Sequence, residues 1–271
     1  KKAAYDLGIA TELITRKDYL RLPEYDGLFI RETTAVDDHT YQFAKLAESE
    51  GMVVIDDPSS ILRCTNKIYL ADLFKTHKIS TPNTIILNQP AKSAFIKLQK
   101  EIGFPMVLKI PDGSFSRGVV KVETMAELEI QAKHLLKESA MLLAQEFMYT
   151  QYDWRIGILN NHPLYACRYY MVDEHWQIYK HESQNSESGI FETLATFEVP
   201  KAVIDIAVKA TKLIGNGFYG VDIKQSGDRV VVIEVNDNPS IDSDIEDKYL
   251  GAQLYTEIMK EFLRRMESRG R

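Results

Sequence analysis

Cysteine is scarce in this chain: Cys64 and Cys167 stand alone among 271 residues, far apart and in no CxxC arrangement. That favours reduced thiols in a cytoplasmic protein over a disulfide framework. No apolar run approaches the roughly 20 residues that span a bilayer, and no signal-peptide pattern occurs, so no membrane partner is expected. A surplus of positive charge is missing too. Lys and Arg number 33 against 39 Asp and Glu, giving a net charge of −6 and a pI near 5.6. This balance argues against broad nucleic-acid binding. Neither GxxxxGK[ST] nor GxGxxG is present, and no internal repeat or low-complexity segment stands out. What is present is an ordinary globular composition, 45% hydrophobic and 27% charged, long enough for one large or two smaller domains. The first residue is Lys1 rather than Met, so a fragment or a processed product is expected.

Strand-like and helical apolar patterns alternate along the chain. Strands are predicted at 27–31 and 52–55 around a helix at 39–49, which reads as part of a parallel α/β sheet whose beginning is missing. Thr65 can cap a helix running to about residue 77. A strand at 84–87 and a helix at 92–101 follow. Next come a strand at 106–110, a loop at 112–118, a return strand at 119–122, a helix at 125–138 and a strand at 141–146. Strands near 155–159, 164–171 and 176–180, a helix near 203–214 and a terminal helix at 253–266 complete the prediction.

The most informative pattern is 219–236, where two β-branched runs flank Ser226-Gly227-Asp228-Arg229 and read as an antiparallel hairpin. With a three-residue loop, Gly227-Asp228-Arg229, Asp222 faces Glu234 across the ladder and Asn236 points the same way. The opposite face then carries Val221, Ile223, Val231, Ile233 and Val235. A two-residue loop would shift the register by one and weaken this geometry. Two carboxylates at cross-strand distance repel by roughly 3 kcal/mol at an effective dielectric of 20 and about 5 Å. A cation or a shared proton between them would offset that, and two carboxylates with an amide oxygen suit Mg²⁺. A solvated acidic face would give the same letters.

Other charged residues sit in apolar surroundings. Lys109 lies within a strand, where an ammonium needs an anionic partner unless it faces solvent. The loop Asp112-Gly113-Ser114-Phe115-Ser116-Arg117-Gly118 offers backbone amides, hydroxyls and an arginine to phosphate oxygens. It joins strand to strand, so its expected use is a flap over polyphosphate. Lys67 opens a helix as a second phosphate ligand or as an exposed lysine. Gln145, Glu146, Phe147 and Met148 end an apolar strand that could meet an adenine edge, or could simply pack in the core. Arg155 and Arg168 each suit an anion or a structural salt bridge.

In their order and spacing, Lys67, Val107-Leu108-Lys109, the 113–118 loop, Gln145-Glu146-Phe147, Asp153-Trp154-Arg155, Cys167-Arg168, Val221-Asp222 and 234–240 resemble the ATP-grasp superfamily, specifically its RimK-type carboxylate–amine ligases. The likeness covers about residue 60 to the C-terminus. It implies an α/β (α+β) ATP-grasp fold of two α+β subdomains, behind a truncated parallel α/β segment at 1–60. The ATP-grasp domain would span 61–271, with a flexible lid at 105–147 and a metal-binding catalytic part at 148–271. It further implies ATP held by Lys67, Lys109, Gly113, Ser114, Ser116 and the hinge 145–148. Two Mg²⁺ ions, replaceable by Mn²⁺, would sit on Asp222, Glu234 and Asn236. Lys109, Arg155 and Arg168 would be catalytic. Some carboxylate–amine ligases of this superfamily place an arginine two residues before the first metal carboxylate. Here that residue is Gly220, which moves the transition-state role to Arg168. The implied partners are small-molecule or peptide carboxylates and amines, with glutamate an inference from the subgroup, and a homo-oligomer is compatible with the reading. Arg31-Glu32-Thr33-Thr34 ends a parallel strand, a common place for a ligand. The alternatives are an ATP- and Mg²⁺-binding regulatory module without ligase activity, and a phosphotransferase needing no amine.

Overall fold

Short polar side chains set where the helices begin. The computed structural model describes residues 1–112, 118–171, 179–182, 185–188 and 190–269. The first segment holds α1 (Lys2–Tyr5), β1 (Gly27–Phe29), α2 (His39–Ser49), β2 (Val53–Ile55) and α3 (Pro58–Cys64). Helix α3 is not evident in the apolar pattern; Asp57 accepts the Ser60 amide at 3.0 Å and Pro58 opens the first turn. Then come α4 (Lys67–Thr76), β3 (Thr84–Leu87), α5 (Lys92–Glu101), β4 (Met106–Lys109), β5 (Val119–Val122), α6 (Met125–Leu135) and β6 (Leu142–Glu146). The cap of α4 is Asn66, not Thr65. Its side chain accepts the Ile68 and Tyr69 amides, while the Thr65 hydroxyl donates back to the Ile61 carbonyl. The remainder runs through β7 (Tyr152–Leu159), β8 (His162–Tyr170), β9 (Tyr179–Glu182), β10 (Asn185–Ser188), β11 (Phe191–Leu194), α7 (Lys201–Lys212), β12 (Phe218–Ser226), β13 (Arg229–Asn236) and α8 (Ala252–Ser268). The strand expected at 176–180 falls mostly outside the described residues, as do Gly113, Ser114, Ser116 and Arg117.

Three sheets matter for the site. Strands β1 and β2 pair in parallel, as expected, with α2 against them. An antiparallel sheet of order β3-β6-β4-β5 is covered on one face by α5 and α6, through Phe95, Leu98, Leu128 and Ala132. This layer begins at β3, ahead of the start at 105 expected for a lid. A larger antiparallel sheet has the order β11-β8-β7-β12-β13. Its one face packs on α7 through Trp154, Ile156, Val221 and Ile223. Part of its other face packs on α8 and β2, through Tyr165, Cys167, Phe218, Ile258 and Phe262.

The hairpin between β12 and β13 departs from the expected loop. Ser226 pairs with Arg229 around a two-residue turn, Gly227-Asp228, and Gly227 supplies a positive φ of 57° at its first position. That register would carry Asp222 past Glu234. A β-bulge intervenes: Ile223 pairs with Val232 and Asp222 with Glu234, so Ile233 is the extra residue. The carboxylates therefore do face each other, by a different route. Val232, instead of Ile233, joins the core against α7, and Ile233 lines the cleft on the other face.

Candidate active site

A cleft of about 950 Å³ opens between the uncovered face of the β3–β6 sheet and the face of the large sheet that carries Asp222. Period-two alternation puts Val107 and Lys109 of β4 and Gln145 of β6 on the cleft side, because Met106, Leu108, Leu142 and Ala144 face the helices. From the large sheet come Asp153, Arg155, Asp222, Lys224, Ile233, Glu234 and Asn236.

Each carboxylate of the pair has its own cationic partner. Arg155, directly opposite Asp222 in the ladder, donates from Nε to Oδ1 at 2.7 Å and from Nη2 to Oδ2 at 2.9 Å. Glu234 Oε1 lies 2.9 Å from Lys67 Nζ. Asn236 Nδ2 donates to Asp222 Oδ2 at 3.2 Å, completing a row along one face. Burial opposes the charge on Arg155, but Asp222 outweighs it and keeps the guanidinium protonated. Gly220 sits where a Cβ would come 2.9 Å from Pro239 Cβ. A side chain at that position would press on Pro239, and Arg155 reaches the first carboxylate from the neighbouring strand.

Across the cleft, Lys109 Nζ donates to Gln145 Oε1 at 2.7 Å, and Gln145 donates to the Thr84 hydroxyl at 3.0 Å. Burial pulls the Lys109 ammonium down to about 8, against the pull of Glu234 and reinforced by Lys67 and Lys224. Glu146 turns its side chain away from the cleft, accepting two bonds from Arg229 at 2.6 and 2.7 Å and one from the Asn83 amide. Phe147 lies under Lys121 Nζ at 4.6 Å, and Met148 is buried beside it.

Arg168 is not in this arrangement. It pairs with Trp154 across β7 and β8, and Trp154 faces α7, so Arg168 lies on the opposite side of the sheet from Arg155. Its guanidinium stacks over Trp154 and Tyr152 and binds Glu192 at 3.1 Å. The register thus puts Arg168 on the sheet face away from the cleft that Arg155 lines.

Two sets of contacts escaped the sequence reading, although it singled out 31–34 as a place for a ligand. Lys224 Nζ donates to Asp153 at 2.6 Å and to Thr150 at 2.8 Å, with burial raising the Asp153 pKa against the pull of Lys224. Lys224 follows Asp222 by two residues, which marks the same face. The second group straps the first segment onto 236–240. Arg31 donates to Asn238 Oδ1 at 2.6 Å and to the Pro239 carbonyl at 2.9 Å, and the Thr34 hydroxyl donates to Asp237 at 2.7 Å. Asp56, fully buried, accepts the Asn238 amide at 2.7 Å. Burial raises its pKa well above the carboxylate range, helped by the charge on Asp237. Burial also lifts Asp237 itself to about 6, although Thr34 works the other way. No local pattern links residues two hundred positions apart.

Among the described residues no set of three His, Cys, Asp or Glu side chains converges as a metal site. The donors of the acidic row are two carboxylates and an amide, all hard oxygens, which fit Mg²⁺ or Mn²⁺ better than zinc. Among the described residues no helix is long and apolar enough to cross a membrane.

Residues 64–262 match the RimK-like ATP-grasp domain. The chain is 28% identical over 200 residues to the alpha-aminoadipate–LysW ligase LysX of Saccharolobus solfataricus, a match covering 72% of this chain and 69% of the relative. It is 25% identical over 223 residues to the "Probable alpha-L-glutamate ligase" of Vibrio atlanticus, covering 82% and 71%. The crystal structure of a D-alanine–D-alanine ligase from Bacillus anthracis superposes with a TM-score of 0.74 at 16% identity, over 96% of this chain and 88% of that one. This last likeness shows the fold.

Proposed function

Because the chain belongs to the RimK-like ATP-grasp family, we propose that it is an ATP-dependent ligase that joins a carboxylate to an amine through an acylphosphate. The observation that carries this reading is one cleft in which Lys67, Lys109 and Arg155 face the row Asp222–Glu234–Asn236. Lys67 and Lys109 would neutralise polyphosphate, and the backbone at 145–148 would meet the adenine edge. Mg²⁺ on Asp222, Glu234 and Asn236, as two ions or with Mn²⁺ in its place, would supply further charge neutralisation at the phosphates. Arg155 spends Nε and Nη2 on Asp222, leaving Nη1 for an oxygen of the transferring group. The substrate carboxylate attacks the γ-phosphorus and ADP departs. The amine then attacks the acyl carbon, expelling inorganic phosphate and losing a proton to solvent. The relatives' names carry alpha-aminoadipate, LysW and alpha-L-glutamate, which supports an amino acid or peptide as the substrate class. Buried, unpaired Cys64 and Cys167 suit the reducing cytoplasm.

The test is ADP release in the presence of Mg²⁺, screened over pairs of amino-acid or peptide carboxylates and amines, with the product weighed by mass spectrometry. ADP and amide forming in equal amounts, and only with both partners, is the expected result. ADP formation without added amine would instead identify a phosphotransferase, and binding without turnover a regulatory module. In the same assay Arg168→Ala should stay within about threefold of wild type, since it touches none of the cleft. Arg155→Lys should lose about a hundredfold or more, because a point charge cannot replace the bidentate fork. Equal losses would return the role to Arg168.

A further inference from the structure

Behind Arg155, on the side away from Asp222, lies a buried pair that the reaction does not use directly. The Tyr169 ring sits 5.4 Å from the Arg155 guanidinium carbon, two residues along β8 from the residue opposite Arg155. The Tyr169 hydroxyl donates to Glu246 Oε1, and Glu246, 1% exposed, accepts the Asp242 amide on its other oxygen at 2.8 Å. Asp242 lines the cleft beside Ser240, whose carbonyl accepts from the Tyr165 hydroxyl at 2.9 Å. A carboxylate taken wholly out of water is retained only where its oxygens are bonded. Both oxygens of Glu246 are used here, one by the Tyr169 hydroxyl and one by the Asp242 amide.

We propose that Tyr169 and Glu246 are positioning residues. Glu246 fixes the Tyr169 ring, the ring fixes the plane of the Arg155 fork against Asp222, and the same carboxylate fixes the 240–242 wall. The orientation of the arginine is thereby tied to the part of the cleft where a second substrate would enter. This inference rests on the ligase reading for its catalytic consequence, but the positioning itself can be observed without turnover.

The experiment compares wild type, Tyr169→Phe and Tyr169→Leu by two readouts. In ¹H–¹⁵N spectra of arginine side chains, assigned with Arg155→Lys, the Arg155 Nε–H signal should broaden in Tyr169→Phe, whose ring is no longer held by Glu246. It should shift by the loss of the ring current, or broaden, in Tyr169→Leu. The rate of ADP formation should fall about tenfold in Tyr169→Leu, with KM for ATP changed less than about twofold, and about threefold in Tyr169→Phe, which keeps the ring but cuts its bond to Glu246. An Arg155 signal unmoved in Tyr169→Leu overturns the proposal, as does a Tyr169→Phe variant indistinguishable from wild type in both readouts. A signal that moves as expected, in a wild type that turns over no substrate pair, supports the positioning and defeats the ligase reading instead.

Discussion

Glu234→Gln is expected to lower ADP formation by about a thousandfold while the protein stays folded. Glu234 is directly opposite Asp222, and its own partner is Lys67 at 2.9 Å. An amide of the same shape keeps a hydrogen bond within reach of Lys67 but removes a unit of negative charge from the only cross-strand carboxylate pair described in the cleft. A hard cation loses affinity steeply with ligand charge. The two lysines across the cleft then repel each other with less to oppose them, so polyphosphate contacts that survive cannot be aligned. The check is the coupled ADP assay alongside thermal unfolding. Turnover at the wild-type rate, with Mg²⁺ still required, would remove Glu234 from the site.

Replacing Lys109 with Met should weaken ATP binding by about a hundredfold, the expected scale for one buried hydrogen bond to a charged group. The wild type should also show a pH dependence that Lys109→Arg lacks. In the folded protein burial holds the Lys109 pKa near 8, below its ordinary value of 10.5. ATP affinity should therefore fall as pH rises through 8, where the ammonium gives up its proton. A phosphate against Lys109 favours the charged form, so binding near pH 8 should take up a proton. Calorimetry in buffers of different ionisation enthalpy measures that uptake. For stability the sign is the reverse. Between pH 8 and the ordinary lysine value the unfolded chain holds the proton and the folded one does not, so this group adds stability as pH rises through that window. An affinity flat from pH 7 to 9 would show that Lys109 keeps its charge and meets no phosphate.

The local patterns carried the α/β layout of the first segment, the strand faces around Lys109 and the facing of Asp222 and Glu234. The facing was predicted from a three-residue turn, whereas the chain uses a two-residue turn and a bulge at Ile233. Two departures cancelled, because alternation holds only within an uninterrupted ladder. The side of the sheet on which Arg168 lies was not legible, for a related reason. Its own strand does not say which of its faces meets α7; only its pairing with Trp154 does. The strap from Arg31 and Thr34 to 237–239 lies beyond any local pattern, since its partners are separated by more than two hundred residues. Lys224 was within reach: it shares the parity of Asp222, and a lysine in a β-branched strand needs a counter-charge.

The bulge at Ile233 also bears on how the protein keeps company with itself. Strand β13 is the outer strand of its sheet, and residues 230–235 are almost wholly β-branched. An open row of amides and carbonyls on such a segment is a template on which another chain can add a strand. Here the row is broken. The Val232 amide is spent on the Ser80 carbonyl at 2.9 Å, and Arg229 is clamped to Glu146 at the strand's start. The kink that sets the acidic row thus also denies a neighbouring molecule a continuous ladder, joining the spacing of two carboxylates to resistance against aggregation.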